Sequence, residues 1–463
     1  MMPMLGRSAT TLAAEVRAGR LSARQVVRDH LDHLAHVEHR LGAYVVVRRR
    51  QALDEAEAVD ARDDRERLPL AGVPVAIKDV VDVAGEATRH GSLATSDEPT
   101  AVDHEVVARL KAAGAIVIGK TRCPELCLWA TSDDAGGIAV SPWDPSRSAG
   151  GSSGGSGAAV SAGTVPLALA TDGLGSIRIP AAATGCFGFK PGADLLPEEL
   201  DGVHHVFGMS RFGPLATTVA DGSLMLAVMA GREPAGPPKP PDRTLRVAVS
   251  WAVPLPGLSA TRPWVEAAIE AGRLLHHAGH EVRRADPPYD MATVNALTSR
   301  AMQAAAEDVA SMGLDLAALE PRTRAQAVAG HRLARRVPAS DEQARHWRER
   351  VAPFLAEHDV LITPAAARQP PAARAWRQRS WAANLASSVA AYPFPQFWNL
   401  ADTPAAVVPL WHEAGRPLAV QVVAAQGRED LVLAVAAQLE ALAPWERHAP
   451  GWGVAAGTSD TGD

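Results

Sequence analysis

The chain has 463 residues, 47% of them hydrophobic and 21% charged, with a net charge of −6. That is an ordinary balance for a globular protein with a sizeable core, and the acidic total removes the basic footprint that nucleic-acid binding requires. Three cysteines, Cys123, Cys127 and Cys186, are too few and too odd for a disulfide framework, and the most apolar run, 158–170, is too short and broken to span a bilayer.

Residues 1–20 lack the apolar centre of a secretory signal, so a cytoplasmic location is expected. Ser22-Ala23-Arg24-Gln25 reads as a capping box opening a helix on which Val26, Val27, Leu31, Leu34 and Val37 recur at helical spacing. Residues 1–65 are therefore assigned to an N-terminal helical layer. Arg48-Arg49-Arg50 reads as a solvated patch. Residues 73–77 form a short apolar strand. Asp103 is placed to cap a helix carrying Val106, Val107 and Leu110 and closed by Gly114, after which 115–118 return to strand. This alternation implies an α/β fold with a parallel or mixed sheet and helices on its faces. Cys123 and Cys127 lack further ligands at metal spacing, so no metal is expected. The Gly/Ser loop 148–157 feeds a buried helix at 158–162, and 165–170 form a strand running into the turn of Ser176. Residues 234–241 are a proline-rich connection, 245–250 and 360–364 are strands, and 262–350 are mostly helical. Strands around 407–408 and 419–423 precede a helix from Glu429, and 456–463 read as a frayed tail.

Two serines in glycine-rich turns and one lysine carry the chemistry. Gly150-Gly151-Ser152-Ser153-Gly154-Gly155-Ser156 is by itself a linker, a phosphate cradle or a catalytic loop. It lacks the Gly-Lys-Ser/Thr ending of a P-loop. In Asp172-Gly173-Leu174-Gly175-Ser176-Ile177-Arg178 the acid and the arginine bracket a turn, either as a surface ion pair or as a charge-assisted brace for a serine nucleophile. Backbone N–H groups of such a turn can hold an oxyanion. Lys78 alone reads as a solvated lysine, but after Ala76 and Ile77 it falls at a strand end, where burial lowers a lysine's pKa from about 10.4 and makes a base of it.

Together, Lys78, the 150–156 block and the 171–180 block resemble the amidase signature family. Gly185-Cys186-Phe187-Gly188-Phe189-Lys190-Pro191, Phe212-Gly213-Pro214-Leu215-Ala216, and Asn399, Pro404, Pro409 and Gln421 extend the resemblance over 10–445. It implies a large mixed, twisted sheet covered by helices on both faces, in one catalytic domain over 1–455 with its signature core at 66–232. It also implies a Ser–cis-Ser–Lys triad, with Ser176 the nucleophile, Ser152 the bridge across a cis Gly151–Ser152 peptide and Lys78 the base. Gly173, Leu174, Gly175 and Ser176 would form the oxyanion hole, and Ser153, Asp172 and Arg178 would support the loops. Cys127, Leu128 and Trp129 would line the substrate pocket, with Phe397 and Trp398 weaker candidates. The expected activity is hydrolysis of a small amide through an acyl-serine, with no cofactor and with a homodimer left open. Three departures stand out. Leu174 replaces a glycine of the family's turn, Arg122 an asparagine and Ala419 a glycine. Leu174 keeps open a catalytically impaired acyl-binding descendant, and a glutaminase-type subunit of a transamidation complex stands as a separate alternative.

Overall fold

The computed structural model describes residues 4–193, 195–196 and 206–454; the tail expected at 456–463 lies outside them. In chain order the strands are β1 (Tyr44–Val47), β2 (Pro74–Lys78), β3 (Ile116–Thr121), the short pairs β4 (Asp133–Asp134) with β5 (Gly137–Ile138) and β6 (Val140–Ser141) with β7 (Asp144–Ser148), then β8 (Leu167–Asp172), β9 (Phe187–Lys190), β10 (Arg211–Ala216), β11 (Arg246–Val249), β12 (Glu281–Arg284), β13 (Val360–Pro364), β14 (Ala405–Glu413) and β15 (Arg416–Val423). Among the described residues, eleven of them form one mixed sheet in the order β1-β3-β2-β8-β10-β9-β14-β15-β13-β11-β12. β3, β2 and β8 run parallel at one end and β13, β11 and β12 at the other, with antiparallel pairing between. The halves of the chain meet where β9 pairs with β14, Gly188 opposite Val407.

Every residue of β2, β3, β8 and β13 is buried. A strand buried on both faces needs helices on both, and reads in sequence as a short apolar run such as 75–77, 116–118, 167–170 and 360–362 here. The main core cluster draws on residues from Ala9 to Trp452, and a smaller cluster forms where the helices Met291–Ser311 and Asp341–Glu357 meet Phe397 and Trp398.

The structure corrects several local expectations. Ser22 caps the helix Ala23–Leu41 by accepting the Gln25 N–H, but the Gln25 side chain donates to Asp29 instead of closing the box. His104, not Asp103, caps the helix Glu105–Ala112, because Asp103 is taken by Lys111 and by the Ala84 N–H. Arg48 is not solvated. It is buried, pairs with Glu55 and Glu86, and donates to the Val117 carbonyl. The helical stretch 262–350 is interrupted by β12.

His30, fully buried on the helix Ala23–Leu41, lies 2.8 Å from the Val26 carbonyl through Nδ1. Burial pushes its pKa down to about 4, below the usual 6.5. Between those values the unfolded chain binds a proton that the folded one refuses, so stability falls as pH drops through that window. Thermal or urea unfolding at pH 7 and pH 4.5 is expected to show an acid-induced loss smaller by about 2–3 kcal/mol in His30→Leu than in the parent.

Candidate active site

β2 and β8 are parallel neighbours, Ile77 opposite Leu169, so their carboxyl ends arrive side by side, the usual place for a site in an open α/β sheet. Lys78 closes β2, and Thr171 and Asp172 close β8. The Lys78 side chain is fully buried, and its Nζ donates to Ser152 Oγ at 2.6 Å and to Thr171 Oγ1 at 2.8 Å. Ser152 comes from the loop between β7 and the helix Gly154–Ser161, and the Gly151–Ser152 peptide is cis. Glycine is required at 151 because a Cβ there would strike the Trp129 carbonyl oxygen and come within 2.6 Å of the Thr131 nitrogen.

Hydroxyls stitch this loop to its neighbours. Ser132 Oγ donates to the Ser152 carbonyl at 3.1 Å and accepts the Gly154 N–H at 2.9 Å. Ser153 donates through Oγ to the Thr171 carbonyl and through its N–H to the Ser176 carbonyl, at 3.2 and 3.3 Å. Ser153 thus links the loop of Ser152 to the turn of Ser176.

That turn is wound around a carboxylate. Asp172 Oδ1 accepts the Gly175 N–H at 2.6 Å, and Oδ2 accepts the Ile177 N–H at 3.1 Å. The fully buried Arg178 donates to the same carboxylate through Nε at 2.9 Å and Nη2 at 3.0 Å. Its other bonds reach far along the chain, to the Pro395 carbonyl and Gln421 Oε1, both at 2.7 Å, and to Asn399 Oδ1 at 2.5 Å. Asn399 Nδ2 returns to Asp172 Oδ1 at 2.9 Å. Burial alone would raise the Asp172 pKa, but the charge and hydrogen bonds of Arg178 outweigh it and hold the carboxyl well below the usual carboxylate range.

Two departures from the family pattern find physical accounts. The left-handed residue of the turn is Gly175, φ +112°, and not Leu174, so the leucine is accommodated without backbone strain. A Cβ on Gly175 would also come within 2.8 Å of Pro395 Cβ. Because the Gly175 N–H is spent on Asp172, it is withdrawn from the expected oxyanion set, which leaves Gly173, Leu174 and Ser176. Arg122 is buried, ion-paired to Asp134, and donates to the Gly42 carbonyl at 2.8 Å, tying the N-terminal helices to the loop beneath the site. Nothing in the structure explains Ala419.

Ser152, Ser176, Thr171, Gly173 and Leu174 open onto one cavity of about 210 Å³. Cys127, Leu128 and Trp129 line it, as does Phe397, whereas Trp398 packs behind in the core. The far wall comes from Leu297, Ala301 and Met302 of the helix Met291–Ser311 and from Trp381, Leu385 and Val389 of the helix Trp381–Ala391. The sequence hid this wall, because an apolar stripe on a helix looks the same whether it faces core or cavity. Among the described lining residues one carboxylate, Asp308, is present and no basic group. Thr171 and Ser132 were also passed over, since a lone hydroxyl in a buried segment carries no sequence signal.

The family model described as Amidase matches residues 25–433. A putative amidase, AmiB2, of Mycobacterium tuberculosis is 39% identical over 444 residues, covering 93% of this chain and 95% of that protein. An acylamidase of Rhodococcus erythropolis is 31% identical over 470 residues, covering 96% and 97%. The solved structure of 6-aminohexanoate cyclic dimer hydrolase superposes with a TM-score of 0.85 at 28% identity, covering 96% of this chain and 99% of that one. The family model over 25–433 and the relatives that match nearly the whole chain show that it belongs to the amidase signature family.

Proposed function

We propose that the protein hydrolyses an uncharged amide with a bulky apolar acyl or amine portion, through an acyl-enzyme on Ser176. Membership of the family makes it a hydrolase acting on amide bonds. The observation that carries the mechanism is the 2.6 Å contact between Lys78 Nζ and Ser152 Oγ, made at the floor of the cavity that Ser176 also lines. Lys78, acting as the base, takes the Ser152 proton, Ser152 takes that of Ser176, and Ser176 Oγ attacks the carbonyl carbon. N–H groups at Gly173, Leu174 and Ser176 receive the oxyanion. The relay then runs backwards and protonates the departing nitrogen, which matters because an amide anion is a very poor leaving group. Water deacylates the serine by the same route.

The character of the cavity supports the substrate class. Its walls are largely aliphatic and aromatic, with no basic side chain among the described lining residues to meet a substrate carboxylate. That weighs against glutamine and hence against a glutaminase-type subunit. The impaired-descendant reading rested on strain at Leu174, and the strain is absent. No helix of the described residues is long and apolar enough to cross a membrane.

Mass spectrometry after treatment with a fluorophosphonate probe tests the reading without knowledge of the substrate. A stoichiometric adduct on Ser176, lost in Lys78→Ala, is the expected result. No adduct on folded protein, beside a reactive amidase control, would overturn it.

A further inference from the structure

The leucine that departs from the family pattern in the nucleophile's turn also shapes the cavity. Leu174 is half-buried and lines the cavity together with Ser176. It packs against the apolar cluster that holds Val294, Leu297 and Phe397, and Val206 and Leu255 pack there too. All five of those residues line the same cavity. A glycine at this place in the turn would leave the wall short by the four carbons of the leucine side chain.

The cavity is long, and Ser176 stands near one end of it. Val294, Leu297, Ala301, Ala304 and Asp308 line it from one stripe of the helix Met291–Ser311. At about 1.5 Å of rise per residue, that wall is roughly 20 Å long. Its Val294 end is the end that Leu174 closes. Toward the other end, Leu126 and Leu128 line the cavity and join Ala305 and Val309 in a separate apolar cluster. Consecutive Cα atoms are about 3.8 Å apart, so the Cα of Ser176 lies no more than about 7.6 Å from that of Leu174. An amide bonded to Ser176 therefore finds a short arm on the Leu174 side and a long arm on the other.

We propose that Leu174 is a specificity-determining residue whose side chain ends the short arm, so that the site takes amides that are large on one side of the scissile bond and small on the other. The assignment rests on the amidase reading above and narrows its substrate class. The carbonyl oxygen belongs to the N–H donors of the turn, which leaves the acyl and amine portions to divide the two arms between them. The wall at Leu174 is firm, because the turn that carries it is held on Asp172 by the Gly175 N–H and by Arg178. A close-packed wall does not yield to added volume, and one methylene too many in an apolar pocket is worth about tenfold or more in discrimination.

Two fluorophosphonates test this without knowledge of the substrate. Both carry an octyl group on phosphorus, and one is the methyl ester, the other the butyl ester. In each, Ser176 Oγ bonds to phosphorus, the P–F bond breaks with its electron pair on fluoride, and the serine proton passes to Ser152. The octyl chain takes the long arm and the ester group the short one. Rates of Ser176 labelling are compared in the parent and in Leu174→Gly, which removes four carbons where the butyl ester adds three. The preference for the methyl over the butyl ester is expected to fall roughly tenfold or more in the variant. Damage to the turn slows both probes together and leaves that ratio unmoved. A fall of threefold or more supports the assignment, and a smaller one overturns it. If Leu174→Gly does not fold, Leu174→Ala is read against the same threshold. If neither folds, the parent's own preference, corrected for the rates at which the two probes react with water, decides at threefold. A folded parent labelled on Ser176 by neither probe would instead sink the amidase reading itself.

Discussion

Ser176→Ala is expected to lower kcat on any amide substrate by a factor on the order of 10⁴–10⁶, the range seen when a nucleophile is lost from a unit that works through covalent chemistry. Lys78→Ala is expected to fall in the same range. Lys78 is fully buried and bonded to Ser152 and Thr171, and no basic side chain among the described cavity-lining residues could replace it. The double variant should cost no more than Ser176→Ala alone, because relay and nucleophile act on one step and their losses do not add. Steady-state kinetics with active-site titration checks this. Turnover by Ser176→Ala within about a hundredfold of the parent would remove the serine from its role.

The second large effect concerns stability. Arg178→Met strips the charge partner from a carboxylate that is itself fully buried. Breaking one side of such a pair typically costs about 3–5 kcal/mol, since the remaining charge stays desolvated. Here Asp172 would keep its bonds from Asn399 and from the N–H groups of Gly175 and Ile177, but its pKa would rise. In the parent, the depressed pKa of Asp172 contributes stability at neutral pH that is lost only as pH falls below the ordinary carboxylate value. In the variant that contribution shrinks. Urea denaturation at pH 7 should show the loss, accompanied by slower fluorophosphonate labelling of Ser176. A change below about 1 kcal/mol would mean that the ion pair does not hold the turn.

The sequence was most legible where one physical cause dominated. β2, β3, β8 and β13 each carry a short apolar run because both their faces are covered, and Lys78 at the end of β2, Ser152 and Ser176 could be read by motif. β1 was missed because it is four residues at a sheet edge, with Val45 and Val47 exposed. β9 and β10 were hidden by Gly188, Gly213 and Pro214, which read as turn signals. Arg48 misled for a different reason. A cluster of arginines says nothing about whether Glu55, Glu86 and a strand carbonyl will converge on one of them. Three further partners of Arg178, Pro395, Asn399 and Gln421, lie more than 200 positions away, beyond the reach of any local pattern.

That distance also governs when the enzyme can become active. Lys78, Ser152 and Ser176 belong to the first two-fifths of the chain, yet the turn that presents Ser176 is clamped by Pro395, Asn399 and Gln421. A chain still emerging from the ribosome, or cut before Pro395, holds Lys78, Ser152 and Ser176 but none of the three distant partners that brace Arg178. On the proposed mechanism, hydrolytic competence is expected only once the C-terminal partners of Arg178 are in place, and half-made copies are expected to stay chemically silent toward the amides around them.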